Sequence, residues 1–158
     1  MRNYESFKVN NVNSMTLWHK VRNPFVIAFN FVIIETCKYL PSLALKRFFY
    51  SLIGIKLGKN VSIGLGVMFD IFFPELIEIG DNSIIGYNSL ILTHEFLIEE
   101  WRKGKVKIGK NVLIGVNVSV LPGIEIGDNA TVSSASLVNK NVNAGSFVGG
   151  VPIKELKR

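Results

Sequence analysis

From residue 55 onward, aliphatic residues or Phe return every sixth position, and few folds accept that period. The series runs Leu57, Ile63, Phe69, then Ile79, Ile85, Ile91, then Ile108, Ile114, Val120, Ile126, Val132, Val138 and Ala144. Glycine often follows directly, at Gly58, Gly64, Gly80, Gly86, Gly109, Gly115, Gly127 and Gly145. A second apolar or small set falls four residues on, from Val61 and Val67 to Val142 and Val148. Amphipathic helices repeat at 3.6 and simple strands at 2, so neither generates this pattern. A hexapeptide period marks a parallel β-helix, in which six residues make one flat face and equivalent side chains stack between coils. The glycines are expected to serve the tight corners.

The register breaks twice. Four extra residues separate Phe69 from Ile79 around IFFP, and Ile91 to Ile108 spans seventeen positions, two units plus five residues. The second break, THEFLIEEWRKGKV, reads as a loop over 93–106 that leaves the coil after 89–92 and rejoins it at Val106. Loops projecting from a rigid scaffold commonly carry function. His94, one of only two histidines, opens this loop. Glu95, Glu99 and Glu100 read as a solvated face, Phe96 and Trp101 as anchors on a neighbouring subunit. His19 reads as exposed or structural.

The region 1–54 has a helical pattern. Asn23-Pro24 offers an N-cap followed by proline at the first helical position, and the helix should stop before Pro41. A second helix is expected from Pro41 through LALKRFFYSLIG, ending at Gly54. Residues 1–23 are polar and lack the apolar core of a secretory signal. The run PFVIAFNFVII is interrupted by Asn30 and Glu35 and falls short of the roughly 20 apolar residues that cross a bilayer. It is apolar nearly all round, so it must bury its surface on the protein, on a sister subunit or in a membrane interface. Arg22, Lys38, Lys46 and Arg47 flank it and suit the last option, making 24–53 a candidate for peripheral membrane contact.

At 158 residues, 48% hydrophobic and 19% charged, the chain is a folded domain rather than a disordered one. Its single cysteine, Cys37, excludes a disulfide framework and fits a reducing, cytoplasmic setting. The net charge of +6 favours an anionic partner. Nucleic acid is disfavoured, because the basic residues form no dense patch interleaved with aromatics.

The repeats IGDNSIIG (79–86), IGKNVLIG (108–115) and IGDNATV (126–132), with Thr93-His94, LPGIEIGDNA, VNKNV and FVGGVPIKEL, resemble the hexapeptide-repeat acyltransferases. The maltose and galactoside O-acetyltransferase branch is the nearer likeness, over roughly residues 55–158. The resemblance implies a mainly β fold: a left-handed parallel β-helix over 55–153 with one extended loop, an N-terminal helical region over 1–54 and a basic tail over 154–158. It implies a homotrimer with active sites between neighbouring β-helices, and acetyl-CoA as co-substrate with no metal. It implies His94 as general base on an acceptor hydroxyl, that of a sugar or glycan precursor in that branch. An unperturbed imidazole titrates near pH 6.5 and can take a hydroxyl proton at neutral pH. Ser134, Asn139 and Lys140 fall at CoA-contacting positions, and Lys154 and Lys157 at positions facing the nucleotide phosphates. Asp70, at a glycine position of the repeat, is a candidate to hold the acceptor or orient His94. Leu113 stands where the branch often has tryptophan, and the acceptor-binding asparagines of the sugar acetyltransferases have no counterpart near residues 65–70. A non-catalytic β-helix scaffold is the main rival. A γ-type carbonic anhydrase needs three histidines at its zinc, and this chain has two.

Overall fold

The computed structural model describes residues 1–157; Arg158, the end of the expected basic tail, lies outside the described residues. The hexapeptide units form three parallel sheets, each visited once per coil. One holds Lys56–Leu57, Ile77–Ile79, Val106–Ile108 and Glu125–Ile126. The second holds Ser62–Ile63, Ile84–Ile85, Leu113–Ile114, Thr131–Val132 and Phe147–Gly149. The third holds Met68–Phe69, Leu90–Ile91, Ser119–Val120 and Leu137–Val138. Inward positions stack in register, Phe69 on Ile91, Ile91 on Val120 and Val120 on Val138. These aliphatic columns are fully buried and make the core.

The corners differ from the expectation. In nine turns the left-handed residue is not the one directly after the inward aliphatic but the one two places later: Asn60, Asn82, Asn88, Asn111, Asn117, Asn129 and Ala135, with Gly66 and Gly123; Gly145, after Ala144, is left-handed itself. Asparagine tolerates this conformation because its short polar side chain bonds locally. Here the amides also bond across coils, Asn82 Nδ2 donating to Asn111 Oδ1 at 2.9 Å and Asn88 Nδ2 to Asn117 Oδ1 at 2.7 Å. The recurrent spacing of glycine has a steric cause instead. A Cβ at Gly80 would lie 2.7 Å from the carbonyl carbon of Gly109 in the next coil.

The final coil is shorter by two residues than the hexapeptide count requires. Val142 bridges Ile126 and Val148 pairs with Val132, both buried, whereas Ala144 is exposed rather than inward. The chain then folds back, Lys154–Glu155 pairing antiparallel with Phe147–Gly149 and covering the far end.

The near end is covered by helices. After the short helix α1 (Trp18–Val21), α2 spans Pro24–Tyr39 and α3 spans Leu43–Leu52. Asn23 caps α2, its Oδ1 accepting from the Phe25 N–H, and Ser42 caps α3. Gly54 supplies the left-handed stop after α3. Both helices lie on the first coil. Ladder N–H groups of that coil donate to the second, Gly58 to Ile79 and Gly64 to Ile85, so carbonyls remain at the outer edge. An unpaired edge is costly when covered. Lys46 Nζ donates to the carbonyls of Ile63 (3.0 Å) and Gly64 (2.7 Å), and Arg47 to those of Leu57 and Gly58. Lys46 is only 1% exposed, and burial lowers the pKa of its amine. Lys46→Met is expected to cost about 2 kcal/mol, because two buried carbonyls lose a charged donor. Urea denaturation checks this: the midpoint should fall with the slope unchanged.

The N-terminal stretch is not wholly helical. Glu5–Lys8 is a strand that pairs antiparallel with Glu100–Lys103. The expected loop 93–106 is itself a hairpin, His94–Phe96 against Glu100–Lys103, so a three-stranded sheet stands off the coil. Strand Glu5–Lys8 has little apolar alternation of its own, and its partner edge lies far along the chain.

Candidate active site

The two breaks in the hexapeptide register meet at one side chain. Asp70 ends the strand Met68–Phe69, and its Oδ1 accepts the N–H groups of Phe72 (2.7 Å) and Phe73 (3.2 Å). That closes the insertion of the first break. Its Oδ2 accepts the N–H groups of Thr93 (2.8 Å) and His94 (2.9 Å), fixing where the hairpin of the second break departs. Thr93 Oγ1 adds a bond to the Phe73 carbonyl, and Asn30 of α2 donates to the Ile71 carbonyl. Three separate parts of the chain are tied at this corner.

The same Oδ2 lies 2.5 Å from His94 Nδ1. The Asp70 side chain is 0% exposed and that of His94 12%. Burial alone would raise the carboxyl pKa, but the hydrogen bond and charge of His94, with the backbone N–H groups, outweigh it and hold the carboxyl below its ordinary value. An ionised carboxylate only accepts, so Nδ1 is the donor in this contact, and in the neutral form of the ring the lone pair lies on Nε2. Nε2 has no hydrogen-bond partner among the described residues. The arrangement fixes the direction in which Nε2 points. Such a pair can take a proton from a bound hydroxyl or water.

Aromatic rings surround the imidazole. Phe72, Phe96 and Phe73 lie with centroids 4.3, 5.0 and 6.2 Å from it. Trp101 stacks on Phe7 at 4.2 Å and on Phe73 at 6.0 Å within its own chain. Glu95 pairs with Arg2, and Glu100 with Arg102 and Ser6, so these carboxylates stitch the small sheet together. His19 is exposed beside Trp18.

The remaining candidate residues fall at different places. Because Phe69, Ile91, Val120 and Val138 are in register, Asp70 and Asn139 share one corner of the coil, three strand spacings or about 14 Å apart. Lys140 follows on that corner and is exposed, while Asn139 Oδ1 is buried without a partner among the described residues. Ser134 lies on the preceding corner, after Thr131–Val132, where its Oγ accepts from the Val116 N–H at 3.2 Å. Lys154 and Lys157 are exposed at the far end. One chain thus brings together His94 and Asp70, places Asn139 and Lys140 further along the same edge, and leaves Ser134 on another. The aromatic enclosure was not foreseen, although IFFP and EFLIEEW both sit at register breaks.

Comparison with known proteins places this architecture. The signature of the family described as hexapeptide repeat of succinyl-transferase matches residues 105–138. YvoF, a candidate acetyltransferase of Bacillus subtilis (strain 168), is 46% identical over 157 residues, which cover 98% of this chain and 90% of YvoF. The structure of a maltose O-acetyltransferase from Clostridium difficile 630 superposes with a TM-score of 0.68 at 20% identity, covering 98% of this chain and 92% of that one. The hexapeptide-repeat acetyltransferase VCA0836 of Vibrio cholerae O1 biovar eltor, complexed with acetyl coenzyme A, gives 0.65 at 20% identity over 84% and 86%.

Proposed function

This chain belongs to the hexapeptide-repeat acetyltransferases, and on that premise we propose that it moves the acetyl group of acetyl-CoA to a hydroxyl of a sugar or glycan precursor, with His94 as general base. The observation that carries the reading is the 2.5 Å contact between buried Asp70 and His94 Nδ1, which turns Nε2 away from the carboxylate as the nitrogen available to a substrate. Nε2 takes the acceptor's hydroxyl proton as its oxygen attacks the thioester carbonyl. A C–O bond forms and a tetrahedral oxyanion develops, which a backbone or amide donor must stabilise. The intermediate collapses, the C–S bond breaks, and the proton leaves with the CoA thiol. Asp70 acts as a positioning residue, fixing tautomer and ring direction.

The coil is taken as left-handed and the assembly as a trimer, with each site in a cleft between neighbouring copies. That arrangement answers the separation seen in one chain, because the Ser134 corner of one copy can face the His94 corner of the next. Asn139 and Lys140 would then line the cofactor cleft, and Lys154 and Lys157 would meet its phosphates as point charges. The aromatic rings around His94 suit the apolar face of a sugar ring. A sugar acceptor is in keeping with the galactoside O-acetyltransferase of Escherichia coli (strain K12), 34% identical over 111 residues that cover 63% of this chain and 55% of that protein.

The test is thiol release from acetyl-CoA over a panel of sugars, nucleotide sugars and amines. Release should rise with one or more hydroxyl acceptors and yield an acetyl ester. Release with amine acceptors alone would overturn O-transfer.

A further inference from the structure

We infer that the outer face of α2 and α3 docks the protein on an anionic lipid surface. On α2 the buried positions are Ile27, Asn30, Ile34 and Cys37, which sit on the coil and on the insertion that holds His94. The opposite stripe is equally apolar yet exposed: Phe25 (86%), Phe29, Val32 and Tyr39 (76%), at helical spacing. On α3 the buried side carries Lys46 and Tyr50, and the open side carries Leu45, Phe48 and Leu52. Both helices rest on the first coil through their buried sides, so the two apolar stripes face away from it. An exposed apolar patch of this extent is unusual on a protein that only meets water.

Charge identifies the occupant. Between Trp18 and Lys59 lie seven of the 18 basic residues, Lys20, Arg22, Lys38, Lys46, Arg47, Lys56 and Lys59, but only one of the 12 acidic ones, Glu35. This stretch therefore carries the chain's entire net charge of +6, and the rest of the sequence is balanced. Glu35 is itself engaged by Lys38 at 2.8 Å. Lys46 is turned inward and Arg22 pairs with Glu75, but Lys20, Arg47, Lys56 and Lys59 remain exposed, so two copies joined through this face would bring like-charged rims together. A bilayer with anionic headgroups instead accepts the rings in its interface and the basic rim at its surface. No helix among the described residues is long and apolar enough to cross a membrane, so the helices lie on it.

The experiment is co-sedimentation of the full chain with vesicles of phosphatidylcholine alone or mixed equally with phosphatidylglycerol, with light scattering for mass. The protein should pellet with the anionic vesicles and weaken as salt rises. Replacing Phe25, Phe29 and Phe48 together by Ser should abolish pelleting, and Lys20→Glu with Lys56→Glu should weaken it at least about tenfold. Thiol release from acetyl-CoA in free solution should stay unchanged in both variants, since none of these residues touches His94. Absence of pelleting by the unaltered protein, equal pelleting with both vesicles, or pelleting retained by the serine variant would each overturn the proposal. A lower mass for the serine variant without vesicle binding by the parent would assign the face to contact between copies.

Discussion

Replacing His94 by alanine is expected to lower kcat by about 10²–10⁴-fold, the usual contribution of a positioned general base. That corresponds to about 3–5 kcal/mol of transition-state stabilisation. KM for acetyl-CoA should change little, because proton transfer is realised in the transition state and not in cofactor binding. The fold should survive. His94 donates its backbone N–H to Asp70 whatever its side chain, and its ring is bordered by Phe72 and Phe96 rather than locked in the main core. Steady-state thiol release, with circular dichroism to confirm folding, measures both. Full turnover in a folded His94→Ala protein would remove the imidazole from the mechanism.

The second large effect is Asp70→Asn, which should reduce both activity and stability. Asparagine has one acceptor oxygen where the carboxylate has two, and Asp70 now receives four backbone N–H groups besides Nδ1. An amide NH₂ turned toward His94 would donate to Nδ1 and move the ring proton to Nε2, where the base is needed. We expect kcat to fall on the order of 10²-fold or more, again with KM nearly constant. That split separates a positioning role from mere loosening of the site. Stability should fall by about 1–3 kcal/mol at pH 7, as buried donors lose their partner. The pH dependence has a definite sign. The Asp70 carboxyl is depressed in the folded protein, so its stabilisation is complete above the ordinary carboxylate range near pH 4 and is lost as pH falls through the folded value. The gap between parent and variant in denaturant midpoint should therefore be widest at neutral pH and close below about pH 4. A gap that widened on acidification would contradict the assignment.

How much of this was legible beforehand follows from the range of each interaction. Helix α2 could be bounded from the chain alone because Asn23, Pro24 and Pro41 act on their own neighbours. The stacked core could be read because every coil repeats the same demand for an inward aliphatic. The corner assignment went astray because glycine's steric reason, the approach of the next coil at Gly80, is not local, whereas asparagine's left-handed turn is. The last coil misled for a related reason. Val142 and Val148 take the inward places once two residues drop out, and Ala144 keeps the count only on paper.

His94 stood out because it interrupts a rhythm, and Asp70 because it occupies a position where the repeat favours glycine. Nothing in a one-dimensional count says that the two interruptions touch. They lie 24 residues apart, and only the stacking of Phe69 on Ile91 brings the ends of those strands together. The sequence by itself determined the coil, its period, the bounds of the N-terminal helices and the two places where the pattern yields, because each rests on repetition or on a residue's local conformational limits. The tertiary structure alone decided that one buried carboxylate closes both breaks and aims the imidazole, because that depends on register between coils, which no single segment contains.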